Sequence, residues 1–170
     1  NIKLFYEKFG NEIIISLVGH SMASDIVIRA SSDKRIKSVV AISPYSTGVT
    51  KDFPKDLLLI SGQFENHLRS HALQMVKAFK PEVKENTEYA DEKIRRKASF
   101  IENTGHVSVI YAPQTTRIII DWLKLDNYDR PFWKTQIVWI TIGVTLIVFG
   151  MSRLNANLVR QNISDEEDKK

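Results

Sequence analysis

Ile13-Ile14-Ile15-Ser16-Leu17-Val18, followed at once by Gly19-His20-Ser21-Met22-Ala23, is the stretch that decides the fold. The first six residues form a β-branched and aliphatic run, the composition of a strand in a covered parallel sheet. Beyond the pentapeptide, Ile26, Val27 and Ala30 recur at helical spacing within Ser24 to Ser31. A serine between a strand and a helix sits on a tight turn. That turn lifts the Ser21 hydroxyl clear of the sheet and aims the Met22 N–H at the place where an oxyanion would form.

Working outward, the pattern repeats. Ile2, Phe5, Tyr6 and Phe9 share one helical face, and Gly10 follows as a C-cap. Ile36 to Ser43 reads as a second strand ended by Pro44, and Asp56 to Ile60 as a third closed by Ser61-Gly62. His67 to Phe79 has helical spacing, Lys80 to Glu92 reads as polar and irregular, and Ala98 to Ile101 as a fourth short strand. Thr115 to Leu123 is an amphipathic helix. Strands rich in Ile, Val and Leu that alternate with helices predict an α/β fold with a mostly parallel sheet flanked by helices.

A serine hydroxyl is a weak nucleophile until a base takes its proton, and the base in turn needs an orienting acid. In chain order serine, acid, histidine, the acid falls in the loop after a late strand. There Gly62-Gln63-Phe64-Glu65 offers Glu65 and no other carboxylate. The histidine falls after the last strand, where Asn103-Thr104-Gly105-His106 lets the chain turn back towards the sheet edge. Of the other three histidines, His20 is inside the turn and His67 and His71 open a helix. His67 and His71 have metal-ligand spacing but no Glu-x-x-His context and no third ligand, so no metal site is expected.

With these residues in place, the chain resembles the back half of the α/β-hydrolase superfamily. The resemblance is carried by Gly-His-Ser-Met-Ala, then Gly-Gln-Phe-Glu, then Gly-His-Val-Ser-Val-Ile-Tyr, and covers about residues 1–124. It implies a partial α/β-hydrolase fold with Ser21 as nucleophile, His106 as general base, Glu65 as orienting acid and Met22 N–H as oxyanion donor. It also implies an acyl-enzyme route on an ester or other acyl substrate, with no cofactor. Two departures from the pattern stand out. Ala23 replaces the commoner final glycine, and no loop from an earlier strand supplies a second oxyanion donor. Opening at Asn1 on the helix before the turn, the chain is expected to be a piece whose front strands lie upstream. As it stands it is expected to be an incomplete enzyme with an open, apolar sheet edge prone to aggregation.

The remainder of the chain differs in composition. From Thr135 to Ser152 there are 18 consecutive residues without a charge, the length of a membrane-spanning helix. Trp133 and Trp139 lie near one end, and Lys134 and Arg153 bracket the run. The expected organisation is a hydrolase-like part over 1–124, a linker over 125–134, a transmembrane helix over 135–152 and a polar, charged tail over 153–170 whose end, Ser164 to Lys170, is disordered. Lys and Arg counts on the two sides do not fix the orientation. The formal charge of +4 comes without a dense basic stripe. Lys93 to Lys97 is the one basic cluster and reads as a solvated surface segment, so no nucleic-acid partner is expected. With no cysteine, disulfides and thiol chemistry are excluded. A glycine-rich phosphate loop is absent, and no cofactor is implied.

The expected activity is a membrane-anchored serine hydrolase acting on small-molecule or lipid-like acyl substrates. Its alternatives are a non-catalytic, membrane-tethered binding module on the same fold and an acyltransferase that hands the acyl group to an alcohol or amine.

Overall fold

The apolar runs Val39 to Ile42 and Leu57 to Ile60 form strands covered on both faces, whereas Ile13 to Val18 is only partly buried. A computed structural model describes residues 2–10, 12–125 and 136–167, which fall into two units, Asn1–Asp126 and Asn127–Lys170. In the first unit α1 (Ile2–Phe9) leads into β1 (Ile15–His20), α2 (Met22–Ala30), β2 (Ile36–Ile42) and β3 (Asp56–Gly62). There follow α3 (Asn66–Lys77), β4 (Glu88–Ala90), β5 (Arg95–Ile101), α4 (Ser108–Tyr111) and α5 (Pro113–Leu123). The strands lie in the order β1-β2-β3-β5-β4. β1, β2, β3 and β5 are parallel, and β4 runs antiparallel on the edge of β5.

Alternate residues of each strand point to opposite layers. Val39, Ala41, Leu57, Leu59 and Ala98 pack with Ile28 of α2 and with Ala72, Met75 and Val76 of α3. Val40, Ile42, Leu58, Ile60 and Ile101 pack with Val109 of α4 and Trp122 of α5. Two cores therefore back one sheet, which is why Leu57 to Ile60 is an unbroken apolar run rather than an alternating one. The α/β class, the mostly parallel sheet and the flanking helices agree with the sequence reading. At the other edge, β1 ends the sheet with Ile14 and Val18 exposed.

Several elements differ from the sequence reading. β1 continues to His20 and β3 to Gly62, so both strands run directly into the loops that carry Ser21 and Glu65. The stretch expected to be irregular contains β4, and β5 starts three residues earlier than Ala98, at Arg95. The basic cluster is consequently not a solvated segment. Arg96 is fully buried; its Nη1 donates to Met75 O at 3.1 Å, and its Nη2 donates to the carbonyls of Thr50, Lys51 and Pro54 at 2.6, 3.2 and 3.2 Å. Burial pushes this guanidinium down to about 10, which leaves it charged at neutral pH. Its neighbour Arg95 donates to Asp56 and lies 3.8 Å over the Trp122 ring. Composition cannot tell a solvated arginine from one that closes a ring of backbone carbonyls.

The second unit is described through α6, Gln136–Glu167. The expected linker lies almost wholly outside the described residues, as does residue 135 at the start of the expected span. Among the described residues no helix is long and apolar enough to cross a membrane, so the structure lends the transmembrane expectation no support. The part of the tail expected to be disordered is helical as far as Glu167, in keeping with the absence of proline and glycine after Gly150.

Candidate active site

Parallel strands all end on the same edge of the sheet, and that edge collects Ser21, Glu65 and His106. Ser21 follows β1 directly and has φ 56 and ψ −123, a conformation strained for any residue but glycine. The surroundings hold it there. Ser21 N donates to Ile42 O at 2.9 Å, tying the turn to β2. Buried Ser24 donates through Oγ to Ser21 O at 2.5 Å and accepts from Tyr45 N at 3.3 Å. A Cβ on Gly19 would sit 2.5 Å from Ala23 O and 2.8 Å from Val27 Cγ2, so only glycine lets β1 and α2 approach this closely. The close contact is made by the backbone of Ala23. Its own side chain is exposed, and the departure at this position therefore intrudes on nothing in the core.

Glu65 is reached through Gln63 and Phe64 from the end of β3 and is buried. Its Oε2 accepts from Gly62 N at 2.6 Å and from Ser43 Oγ at 2.9 Å. Its Oε1 faces His106 Nδ1 at 2.7 Å, and His106 Nε2 faces Ser21 Oγ at 3.0 Å. With the carboxylate as acceptor, Nδ1–H donates to Glu65, and the lone pair of Nε2 is left to accept from the Ser21 hydroxyl. The three residues singled out from sequence are thus brought into one hydrogen-bonded line. The acid end is buried and the imidazole is about half exposed, with side-chain accessibilities of 5% and 46%.

The acid loop and the histidine loop are laced together. Phe64 N donates to Thr104 O at 3.0 Å and Gln63 N to Ile101 O at 2.9 Å, while Asn103 N donates to Gln63 Oε1 at 2.7 Å. A Cβ on Gly62 would lie 2.5 Å from Thr104 O, so the two loops meet across a glycine. His20, the last residue of β1, donates from Nε2 to the carbonyl of His106 at 2.8 Å. Sequence reasoning missed Ser43 and the link from His20, because each acts through a partner more than twenty residues away along the chain, and missed Ser24, which joins the nearby Ser21 carbonyl to the distant Tyr45 N. Met22 N opens α2, where the first N–H groups have no partner within the helix, and is therefore free to donate beside Ser21.

The remaining histidines do other work. His71 on α3 stacks on Tyr45 at 4.6 Å, and its Nε2 lies 3.0 Å from Ser46 O and 3.2 Å from Ser46 N. Among the described residues no group of three or more His, Asp or Glu side chains is placed to hold a metal ion. A cleft of about 610 Å³ lies against Ser21 and His106. A second cavity of about 380 Å³, lined by Lys34, Lys37 and Asp52, lies at the opposite, N-terminal ends of the strands. Chemically, the arrangement around Ser21 can take a proton from a serine hydroxyl and hold the resulting imidazolium against a carboxylate. Comparison with protein-family models, with curated proteins and with solved structures gave no match. The functional reading therefore rests on the site itself.

Proposed function

We propose that the chain is a serine hydrolase of α/β-hydrolase type acting on ester or other acyl substrates. The observation that carries this reading is the line from Ser21 Oγ through His106 to Glu65, at 3.0 and 2.7 Å, built on a serine held at positive φ. The buried carboxylate is held through Oε2 by Gly62 N and Ser43 Oγ, while its other oxygen is turned to the half-exposed imidazole and so to a strained serine, an arrangement suited to proton transfer. In the proposed reaction, His106 Nε2 takes the proton of Ser21 as Oγ bonds to the substrate carbonyl carbon. The negative charge that develops on the carbonyl oxygen is met by Met22 N–H. The proton passes from His106 to the departing alcohol as its bond to carbon breaks, which leaves an acyl-serine. Water, deprotonated by His106, then attacks the acyl carbon; the carboxylic acid is released and Ser21 recovers its proton.

The test is fluorophosphonate labelling of the full chain beside Ser21→Ala and His106→Ala. Labelling lost in both variants is the expected result. A folded parent chain that is not labelled would overturn the reading and leave the non-catalytic binding module. Product analysis with an added alcohol separates hydrolysis from acyl transfer.

Membrane attachment forms a separate proposal. It is supported by the uncharged run 135–152 and by the exposure of Ile140, Ile142, Leu146, Ile147 and Phe149 along α6. Recovery of the full chain in alkali-washed membranes is expected; recovery in the supernatant refutes it.

A further inference from the structure

The cleft beside Ser21 changes character along its length. Met22 and Ile26 stand one turn apart on α2, are 85% and 65% exposed, and both line the cleft together with Leu68 of α3. An apolar surface of this kind beside a reactive serine is one that water leaves readily. Asp25 stands beside Ile26 in the same lining, and Arg29 continues the helical face at i+7 from Met22. Its Nε donates to Asp25 Oδ2 at 2.7 Å and its Nη2 to Thr47 Oγ1 at 3.2 Å, while Asp25 Oδ1 accepts from Ser46 Oγ at 2.5 Å. Arg29 beside Asp25 holds that carboxyl below its ordinary range, so the pair is charged at neutral pH. All four of these polar residues line the cleft.

Building on the hydrolase reading, we propose that this cleft binds the acyl chain of the substrate and that Arg29, held by Asp25 and Thr47, sets its length limit. Eight residues of α2 separate Ser21 from Arg29, about 12 Å of helix rise. An extended chain advances roughly 1.1–1.2 Å per backbone bond, so about ten bonds cover that distance. Shorter chains leave Met22 and Ile26 in water. Longer ones press methylenes against a charged pair whose hydrogen bonds they cannot replace. The substrate class is therefore an ester of a medium-chain acyl group, with Ile26 and Arg29 as specificity-determining residues.

The experiment measures labelling rates of the full chain with alkyl fluorophosphonates from ethyl to hexadecyl. Fluoride is displaced by Ser21 Oγ whatever the alkyl length, so differences in rate report the cleft. In the parent, rates are expected to rise about twofold per added methylene, half the factor for full burial, and to stop rising near ten carbons. Ile26→Asn should flatten the rise and Ile26→Trp should move the maximum to shorter chains. Arg29→Leu should move it to longer ones. Both positions of change, Ile26 and Arg29, are on the exposed face of α2, and melting curves report folding independently. An octyl-to-ethyl ratio below about threefold in the parent, or a maximum unmoved by Ile26→Trp and Arg29→Leu, overturns the acyl cleft. Ethyl labelling that disappears in Ser21→Ala would leave the hydrolase reading standing in that case. No labelling of the folded chain by any probe overturns both.

Discussion

Replacing Glu65 by glutamine changes one atom, and the structure dictates which way the amide must turn. Oε2 accepts from two donors, Gly62 N–H at 2.6 Å and Ser43 Oγ–H at 2.9 Å. The backbone N–H cannot reverse its role, so the glutamine carbonyl must stay at the Oε2 position. An NH₂ placed there would set two donors against each other in a buried site. The NH₂ is thereby forced to the Oε1 position, 2.7 Å from His106 Nδ1. Nδ1 must then accept, the imidazole proton moves to Nε2, and Nε2 meets Ser21 Oγ as a donor. No base is left for the serine proton. A wrong tautomer in an otherwise intact relay costs about 10⁴-fold in rate, or about 5.4 kcal/mol of transition-state stabilisation. Since the two hydrogen bonds to Oε2 survive with a neutral acceptor, the fold should lose only about 1–2 kcal/mol.

The assay is the second-order rate of fluorophosphonate labelling of Glu65→Gln against the parent, with a denaturation curve for each. ¹⁵N shifts of the His106 ring report the tautomer directly. Labelling within about tenfold of the parent, in a folded variant whose ring has moved its proton to Nε2, would refute the reasoning that Glu65 works by fixing the tautomer.

Three further outcomes are expected. Gly62→Ala must displace Thr104, because the new Cβ would lie 2.5 Å from its carbonyl; the resulting shift of His106 should lower labelling about 10²-fold. Gly105→Ala, whose Cβ would meet nothing within 4 Å, should label like the parent, and equal rates for the two variants would sink the idea. His20→Ala removes the hydrogen bond to the His106 carbonyl. About a tenfold fall in labelling is expected with little change in unfolding free energy, and a rate unchanged within twofold would show that the contact does not position the base. Arg96→Met strips donors from four buried or part-buried carbonyls; urea unfolding should show a loss of about 2–4 kcal/mol, and a loss below about 0.5 kcal/mol would mean that these bonds are replaced by water.

The amino-acid sequence by itself determined the alternation of strand and helix and the chemistry gathered at one edge. Val39 to Ile42 and Leu57 to Ile60 are apolar at every position, and a strand covered on both faces is the economical way to bury them; Ile13 to Val18 reads the same way but lies at the sheet edge and is only partly buried. Since the parallel strands all end on one edge, the residues after them, Ser21, Glu65 and His106, had to come within reach of one another. Contacts between partners remote in sequence arose only with folding. Arg96 reads as one more surface charge until β5 carries it beneath the Thr50–Pro54 loop, where three of the loop's carbonyls and that of Met75 accept from its guanidinium. β4 has too few residues to leave a periodic signal, and it exists because β5 offers a free edge. Ser43, Ser24 and His20 carry no mark of their roles, because hydrogen bonds between loops depend on distances that the sheet register sets and local pattern does not encode. The cleft proposed to bind the acyl chain belongs with them: Met22, Ile26 and Arg29 are merely the outer face of a helix until the turn places Ser21 at its start.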